Sequence, residues 1–189
     1  MKTLLEILQE HPSWDSDLGG TDKNTLHDYI NGFYENEFAK YQGKHIKLLE
    51  IGVREGASLA LWREYFPHGE IYGIDVIPLH FLSEEFQSMD RVTFMSADGY
   101  KPDVYNNLPN FDIMIDDGPH TLDSMITFLK NYVPKLLPGG VAIVEDVQNE
   151  IWFPALIEAL PAEFKDKFEI VDLRPNKNRY DDLMFIVRN

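Results

Sequence analysis

The chain contains no cysteine, which excludes a disulfide framework, a thiolate metal site and a cysteine nucleophile. It also lacks any apolar run approaching the ~18–20 residues that cross a bilayer. The N-terminal stretch MKTLLEILQEHPSW sets Glu6 and Glu10 among its apolar positions, unlike the apolar core of a secretory signal. No membrane association is expected, and a cytoplasmic location suits such a chain. Basic residues are scarce: 17 Lys and Arg stand against 32 Asp and Glu, a formal charge of −15. That balance repels a phosphate backbone, so nucleic acid is not an expected partner, whereas a small neutral or cationic ligand is. Internal repeats, low-complexity tracts and linkers are absent as well. What remains is 189 residues with 44% hydrophobic and 26% charged content, enough for one domain with a full core.

The organising stretch is KLLEIGVREGAS, Lys47 to Ser58. It reads as a buried strand over 46–53, a glycine turn at Gly52 and Gly56, and a helix over 57–66. Further strands are expected at 70–76, 91–97, 111–116, 141–146, 168–173 and 182–188, with helices at 80–88, 121–137 and 150–160. Alternation of this kind makes a doubly wound α/β sheet, because parallel crossovers are right-handed. The last two strands are joined by a turn too short for a crossover helix, so they should pair antiparallel. The expectation is a mainly parallel seven-stranded sheet ending in an antiparallel hairpin, a Rossmann-like fold over residues 46–189. Residues 1–45 form a helical cap or lid before it. Leu4, Leu5, Ile7 and Leu8 share a helical face that must dock, on the domain or on a second copy in a homo-oligomer. Leu26, Tyr29, Ile30, Phe33 and Phe38 mark a second helix.

In such sheets ligands bind outside the carboxyl ends of the strands, where glycines admit the backbone and helix amides face the ligand. Three residues separate Gly52 from Gly56, so the Gly-x-Gly-x-x-Gly turn of dinucleotide sites is missing. A cofactor without a pyrophosphate fits better. Here Glu50-Ile51-Gly52 resembles the first motif of the class I S-adenosylmethionine-dependent methyltransferases. EIGVREGASLALW, with the later IDDGPH and VEDV, more narrowly resembles the metal-dependent macrocin and mycinamicin sugar O-methyltransferases and their cephalosporin-biosynthesis relatives. That resemblance runs from about Gly20 to the end. It implies S-adenosylmethionine and Mg²⁺ or another hard divalent ion, with a hydroxyl of a small, sugar-containing natural product as methyl acceptor. Larger members carry more N-terminal material that shapes the acceptor pocket, so acceptor identity is not implied. A catechol-type O-methyltransferase and a non-catalytic cofactor-binding partner of the same fold are the alternatives.

Individual residues follow. Asp75 ends the second strand, where a carboxylate accepts two hydrogen bonds from vicinal ribose hydroxyls. Asp98 ends the third, and the resemblance puts it beside the adenine amino group, with Glu50, Gly52, Ser58 and Asp116 also on the cofactor side. Asp116 and Asp117 end the fourth strand, Glu145 and Asp146 the fifth. Packing explains such pairs poorly, because like charges repel and desolvation is costly without a cation. Oxygen ligands suit a hard ion, and the resemblance assigns it to Asp117, Glu145 and Asp146. Since successive strand residues face opposite ways, one member of each pair is expected in the crevice. His120, three residues after Asp117, is the expected general base for the acceptor hydroxyl, histidine being available as a neutral base near pH 7.

The remaining histidines, His11, His27, His45, His68 and His80, are expected at the surface or on helices. The Gly20-Thr21-Asp22-Lys23 turn resembles one preceding the catalytic domain in the sugar methyltransferases, where it implies a lid. A helix cap at Thr21, Asp22 or Asn24 explains it equally well. Pro138-Gly139-Gly140 reads as a turn before the fifth strand. Trp152 and Phe153 follow the second acidic pair, and Arg174, Lys177 and Arg179 are charges of the closing hairpin turn.

Overall fold

The computed structural model describes residues 1–16, 18–82 and 87–189. Seven strands form one sheet: β1 (Lys47–Ile51), β2 (Glu70–Asp75), β3 (Val92–Ser96), β4 (Phe111–Asp116), β5 (Leu136–Val144), β6 (Phe168–Asp172) and β7 (Leu183–Arg188). Their order is β3-β2-β1-β4-β5-β7-β6. The first five pair parallel, and β7 runs antiparallel to both β5 and β6. The order reverses between β1 and β4, and a crevice opens outside the strand ends at such a switch point.

The central strands are near-continuous apolar runs because both faces of the sheet are covered. On one face Leu48, Ile113, Ile115, Val141, Ile143, Met184 and Ile186 pack with α3 (Ala57–Tyr65) and the N-terminal segment. On the other, Leu49, Met114, Ala142, Val144, Phe185 and Val187 pack with α5 (Leu122–Asn131) and α6 (Phe153–Ala159). Neighbours in sequence thus enter opposite cores, as strand geometry requires. Among the short helices, α4 spans Pro102–Tyr105 and α7 spans Arg174–Lys177 in the turn before β7.

In the N-terminal segment α1 (Leu4–Glu10) is closed by a capping box between Thr3 and Glu6 and rests on α3, burying Leu4, Ile7 and Leu8. It therefore docks on its own domain. The second expected helix is a π-turn over Ile30–Tyr34, continued by α2 (Glu35–Phe38), and it buries Ile30, Phe33, Tyr34 and Phe38 in the same core.

Three boundaries differ most from the sequence expectation. The helix expected over 121–137 ends at Asn131, and a 3₁₀ turn over Val133–Lys135 follows, because Pro134 has no amide to donate. Strand β5 then begins at Leu136, so Pro138-Gly139-Gly140 lies inside it, at a register shift opposite Phe111 and Ile113. The helix expected over 80–88 falls in part on 83–86, outside the described residues; before them a 3₁₀ turn spans Leu79–Phe81.

Candidate active site

A cavity of about 770 Å³ opens at the switch point, within the usual size of a small-molecule site. Its floor is the turn after β1. Gly52 takes φ +86°, and Gly56 takes φ +96° as the left-handed residue before α3, conformations that cost glycine nothing. Asp75 braces this turn: Oδ2 accepts from the amides of Val53 at 2.9 Å and Arg54 at 2.8 Å, and Oδ1 accepts from Ile77 at 3.1 Å. Of the residues expected on the cofactor side, Gly52, Ser58, Asp75 and Asp98 line the cavity, together with Asp117 and His120. The N-terminal segment lends Gly20, Thr21 and Asp22 to the wall.

Glu50 and Asp116 stand one layer behind. Glu50 is fully buried, and its Oε2 accepts from Ser58 Oγ at 2.6 Å and Trp62 Nε1 at 3.1 Å. Burial pushes its carboxyl up to about 7. Asp116 accepts a short hydrogen bond from the Tyr100 hydroxyl and is likewise raised by burial to about 7. A folded-state pKa above the unfolded value means that the folded protein holds a proton which the unfolded chain releases. Glu50 therefore contributes most below about 4.5, and that contribution is lost as pH rises toward about 7. Glu50→Gln should remove this dependence. In urea unfolding with EDTA, the variant is expected to gain on the order of 3 kcal/mol relative to wild type between pH 4.5 and 8; parallel pH profiles would refute it.

Ligand atoms of Asp117 and His120, which line the cavity, and of Asp146 all lie within 4.8 Å of one another. His120 Nε2 is 3.8 Å from Asp117 Oδ1 and 3.6 Å from Asp146 Oδ2. These gaps are too long for hydrogen bonds, yet they match the roughly 3–4 Å between oxygens that share a small octahedral ion. Two carboxylates and an imidazole thus fit a hard divalent cation. His120 and Asp146 both take left-handed backbone with φ +52°, a conformation uncommon for residues other than glycine. Burial first, then the Asp117 charge, raises the Asp146 carboxyl.

Glu145 goes elsewhere. Its Oε1 accepts from the Tyr34 hydroxyl at 2.6 Å and its Oε2 meets the ammonium of Lys23 in a closer contact. Burial pushes its carboxyl well above the usual range, and Lys23 opposes that shift. Both members of the 145–146 pair are consequently engaged at the rim, Glu145 with Lys23 and Asp146 beside Asp117 and His120. Likewise Asp116 turns to Tyr100 while Asp117 turns to Lys23 and His120.

Lys23 and His27 are the site residues that local sequence reading missed. His27 is buried, contrary to its expected surface or helical place, with Nδ1 2.6 Å from Asp182 Oδ1 and 3.6 Å from Asp146 Oδ1. Tyr29 donates to Asp146 Oδ1 at 2.5 Å. All four groups come from the stretch 23–34, which the closing hairpin grips: Lys177 Nζ donates to the carbonyls of Asn24 and, at 3.1 Å, Thr25. Arg174 pairs with Asp172 and Glu150, and Arg179 with Asp181. Trp152 and Phe153 pack with the core on the α6 side.

A doubly wound sheet with this strand order, a reversed last strand and a glycine turn under the cavity defines the class of Rossmann-like methyltransferase folds. Residues 49–147 match the family described as methyltransferase domain, and the chain belongs to that family. Curated relatives include 8-demethyl-8-α-L-rhamnosyl tetracenomycin-C 2′-O-methyltransferase of Streptomyces olivaceus, 33% identical over 144 residues, or 70% of this chain and 36% of that protein. Mycinamicin VI 2″-O-methyltransferase of Micromonospora griseorubida is 29% identical over 130 residues, 63% of this chain and 31% of that protein. Among solved structures, the MycE methyltransferase of the mycinamycin biosynthetic pathway, in complex with Mg, SAH and mycinamycin VI, superposes with a TM-score of 0.70 at 22% identity. That match covers 100% of this chain and 54% of MycE. The chain spans about a third of the length of these two curated relatives.

Proposed function

We propose that this chain transfers a methyl group from S-adenosylmethionine to a hydroxyl of a small, sugar-bearing molecule, assisted by a divalent ion such as Mg²⁺. One observation carries the reading: the Gly52 turn and the carboxylates of Asp75 and Asp98 share a single cavity with Asp117 and His120, and a carboxylate oxygen of Asp146 lies within 4.8 Å of both. The curated relatives are O-methyltransferases, one of them acting on a rhamnosyl tetracenomycin, which supports the same chemistry. No helix among the described residues is long and apolar enough to cross a membrane, and the acidic charge favours a small neutral or cationic acceptor.

In this reading the turn amides and Asp75 hold the ribose end of the cofactor and Asp98 faces its base. Asp117 and Asp146 hold the ion, Glu145 supporting them from behind through Lys23. The cofactor supplies an electrophilic methyl group, and the ion supplies Lewis-acid polarisation. His120, with a side chain 28% exposed, reaches both the ion site and the open cavity, and its Nε2 takes the proton from the acceptor hydroxyl. Residues 1–45 serve as the cap, walling the cavity with Gly20 to Asp22.

Calorimetric titration of metal-free protein with S-adenosylhomocysteine, then with Mg²⁺, tests the site. Asp117→Ala should retain the first binding event and lose the second. Labelled methyl transfer to simple glycosides then tests the acceptor class. No cofactor binding at all would return the cavity to an unknown ligand.

A further inference from the structure

The loop that follows β3 reaches across the sheet. Strands β2 and β1 separate β3 from β4, yet the Tyr100 hydroxyl donates a short hydrogen bond to Asp116 Oδ1 at the end of β4. Asp116 is 3% exposed, and a buried carboxylate is costly without a donor. The same phenol rests on the turn beyond: a Cβ on Gly118 would stand 2.0 Å from Tyr100 Oη and 3.0 Å from Cζ. Glycine at 118 is what lets the phenol come so close.

A second bond holds the same loop. Buried Tyr132, directly after α5, donates its hydroxyl to the Gly99 carbonyl at 2.5 Å. Within the loop, Asp98 Oδ1 accepts from the Tyr100 amide at 3.0 Å, and the Asp98 carbonyl accepts from the Lys101 amide at 3.1 Å. Asp98 and Tyr100 line the cavity, as do Asp117, Gly118 and His120. The unit made of β4, the 117–121 turn and α5 is thus fastened to the 98–101 loop both before its turn and after its helix. We infer that Tyr100 couples cofactor binding to the placement of the Asp117–His120 turn: its hydroxyl bolts the 98–101 loop to Asp116, so that a cofactor which orders the loop orders the turn with it. This inference rests on the cofactor reading above.

The chain carries the link onward in one step. Asp116 pairs with Ile51 in the ladder between β1 and β4, and the next amide, of Asp117, donates to the Ile51 carbonyl at 2.8 Å. A shift of Asp116 therefore moves the start of the turn. Tyr100 is a positioning residue: its hydroxyl ends on Asp116 and acts on Asp117 and His120 through it. Linkage is reciprocal, so a turn held in place also favours the bound cofactor. The rival is that the Tyr100–Asp116 bond only stabilises the fold, and its loss then lowers the melting temperature without changing which segments the cofactor orders.

The test is hydrogen–deuterium exchange of the full chain with and without saturating S-adenosylhomocysteine, binding being established first by calorimetry. In wild type the ligand is expected to slow exchange about fivefold or more in both 98–101 and 117–121. Tyr100→Phe keeps the ring and drops the hydroxyl; it is expected to bind the ligand and to show protection in 98–101 alone. Its kcat for methyl transfer should fall about 10–100-fold while the KM for the cofactor changes little. Should the single variant fail to fold, Tyr100→Phe/Asp116→Asn removes the carboxylate left without its donor, and the same restricted protection is expected of it. Protection of 117–121 equal to wild type in either variant overturns the inference and leaves the cofactor reading intact, as does a wild type protected at 98–101 alone. Protection lost at 98–101 in a variant makes the hydroxyl part of the cofactor site itself and likewise overturns the coupling. A wild type that binds no S-adenosylhomocysteine removes the cofactor reading and this inference with it.

Discussion

His120→Ala is expected to lower turnover of methyl transfer by about 10²–10⁴-fold, while S-adenosylhomocysteine binds with little change. The residue follows Asp117 and Gly118-Pro119 into a left-handed backbone position, with its ring beside Asp117 and Asp146. Its Nε2 stands 3.6 Å from Asp146 and 3.8 Å from Asp117, so two roles are geometrically open to it, ligand and base. They separate by metal dependence. If the loss comes from a missing ligand, raising Mg²⁺ restores turnover, because ion occupancy is a matter of mass action. If it comes from a missing base, turnover stays low at saturating Mg²⁺, since the barrier to removing the hydroxyl proton is unchanged by occupancy. The second result is expected. Full recovery at high Mg²⁺ would assign His120 to the ion alone, and a variant with wild-type turnover would remove it from the reaction.

Much of the sheet could be read from the chain because its signals are local. The run from Ile46 to Val53, the glycine turn and the acidic residues at the ends of β2, β4 and β5 each announce themselves within a few positions. The hairpin of β6 and β7 followed from the shortness of its connection. Lys23 and His27 were not legible in this way. Their partners lie 94 residues away at Asp117 and 155 away at Asp182, and nothing local distinguishes a lysine in a turn that docks from one that is solvated. A polar turn, Gly20 to Lys23, reads equally as a helix cap or a lid until the sheet supplies carboxylates that need a cation. Glu145 shows the same limit. Its position at a strand end fits a metal ligand, and only the fold reveals that a lysine and a tyrosine already occupy its oxygens. Alternation within the acidic pairs likewise predicts opposite faces, but β5 ends at Val144, and beyond it the left-handed turn at Asp146 returns that side chain to the same rim.

Gly52→Ala is expected to affect stability and ligand binding together. A Cβ at this position would lie 1.8 Å from the carbonyl oxygen of Asp117, 2.5 Å from its carbon and 2.9 Å from Gly118 Cα. All three are backbone atoms, so no side chain can rotate away. Gly52 cannot retreat either, because its amide donates to Ile74 at 2.8 Å, while the Asp117 amide donates to Ile51 at 2.8 Å; both sides of the contact belong to the sheet. With φ at +86°, alanine adds left-handed strain to the overlap. Together these should cost about 2–4 kcal/mol, lowering the melting temperature by roughly 5–15 °C. The relief available is a shift of the 117–118 backbone. That shift carries Asp117 off Lys23 and away from His120, and it closes the floor of the cavity. Affinity for S-adenosylhomocysteine and for Mg²⁺ should therefore fall in the fraction that still folds, each measurable by calorimetry below the new melting temperature. A Gly52→Ala protein with wild-type melting and wild-type binding of both ligands would mean that β1 and the 117–118 turn do not meet as described, and the geometry that joins cofactor to ion would fail with them.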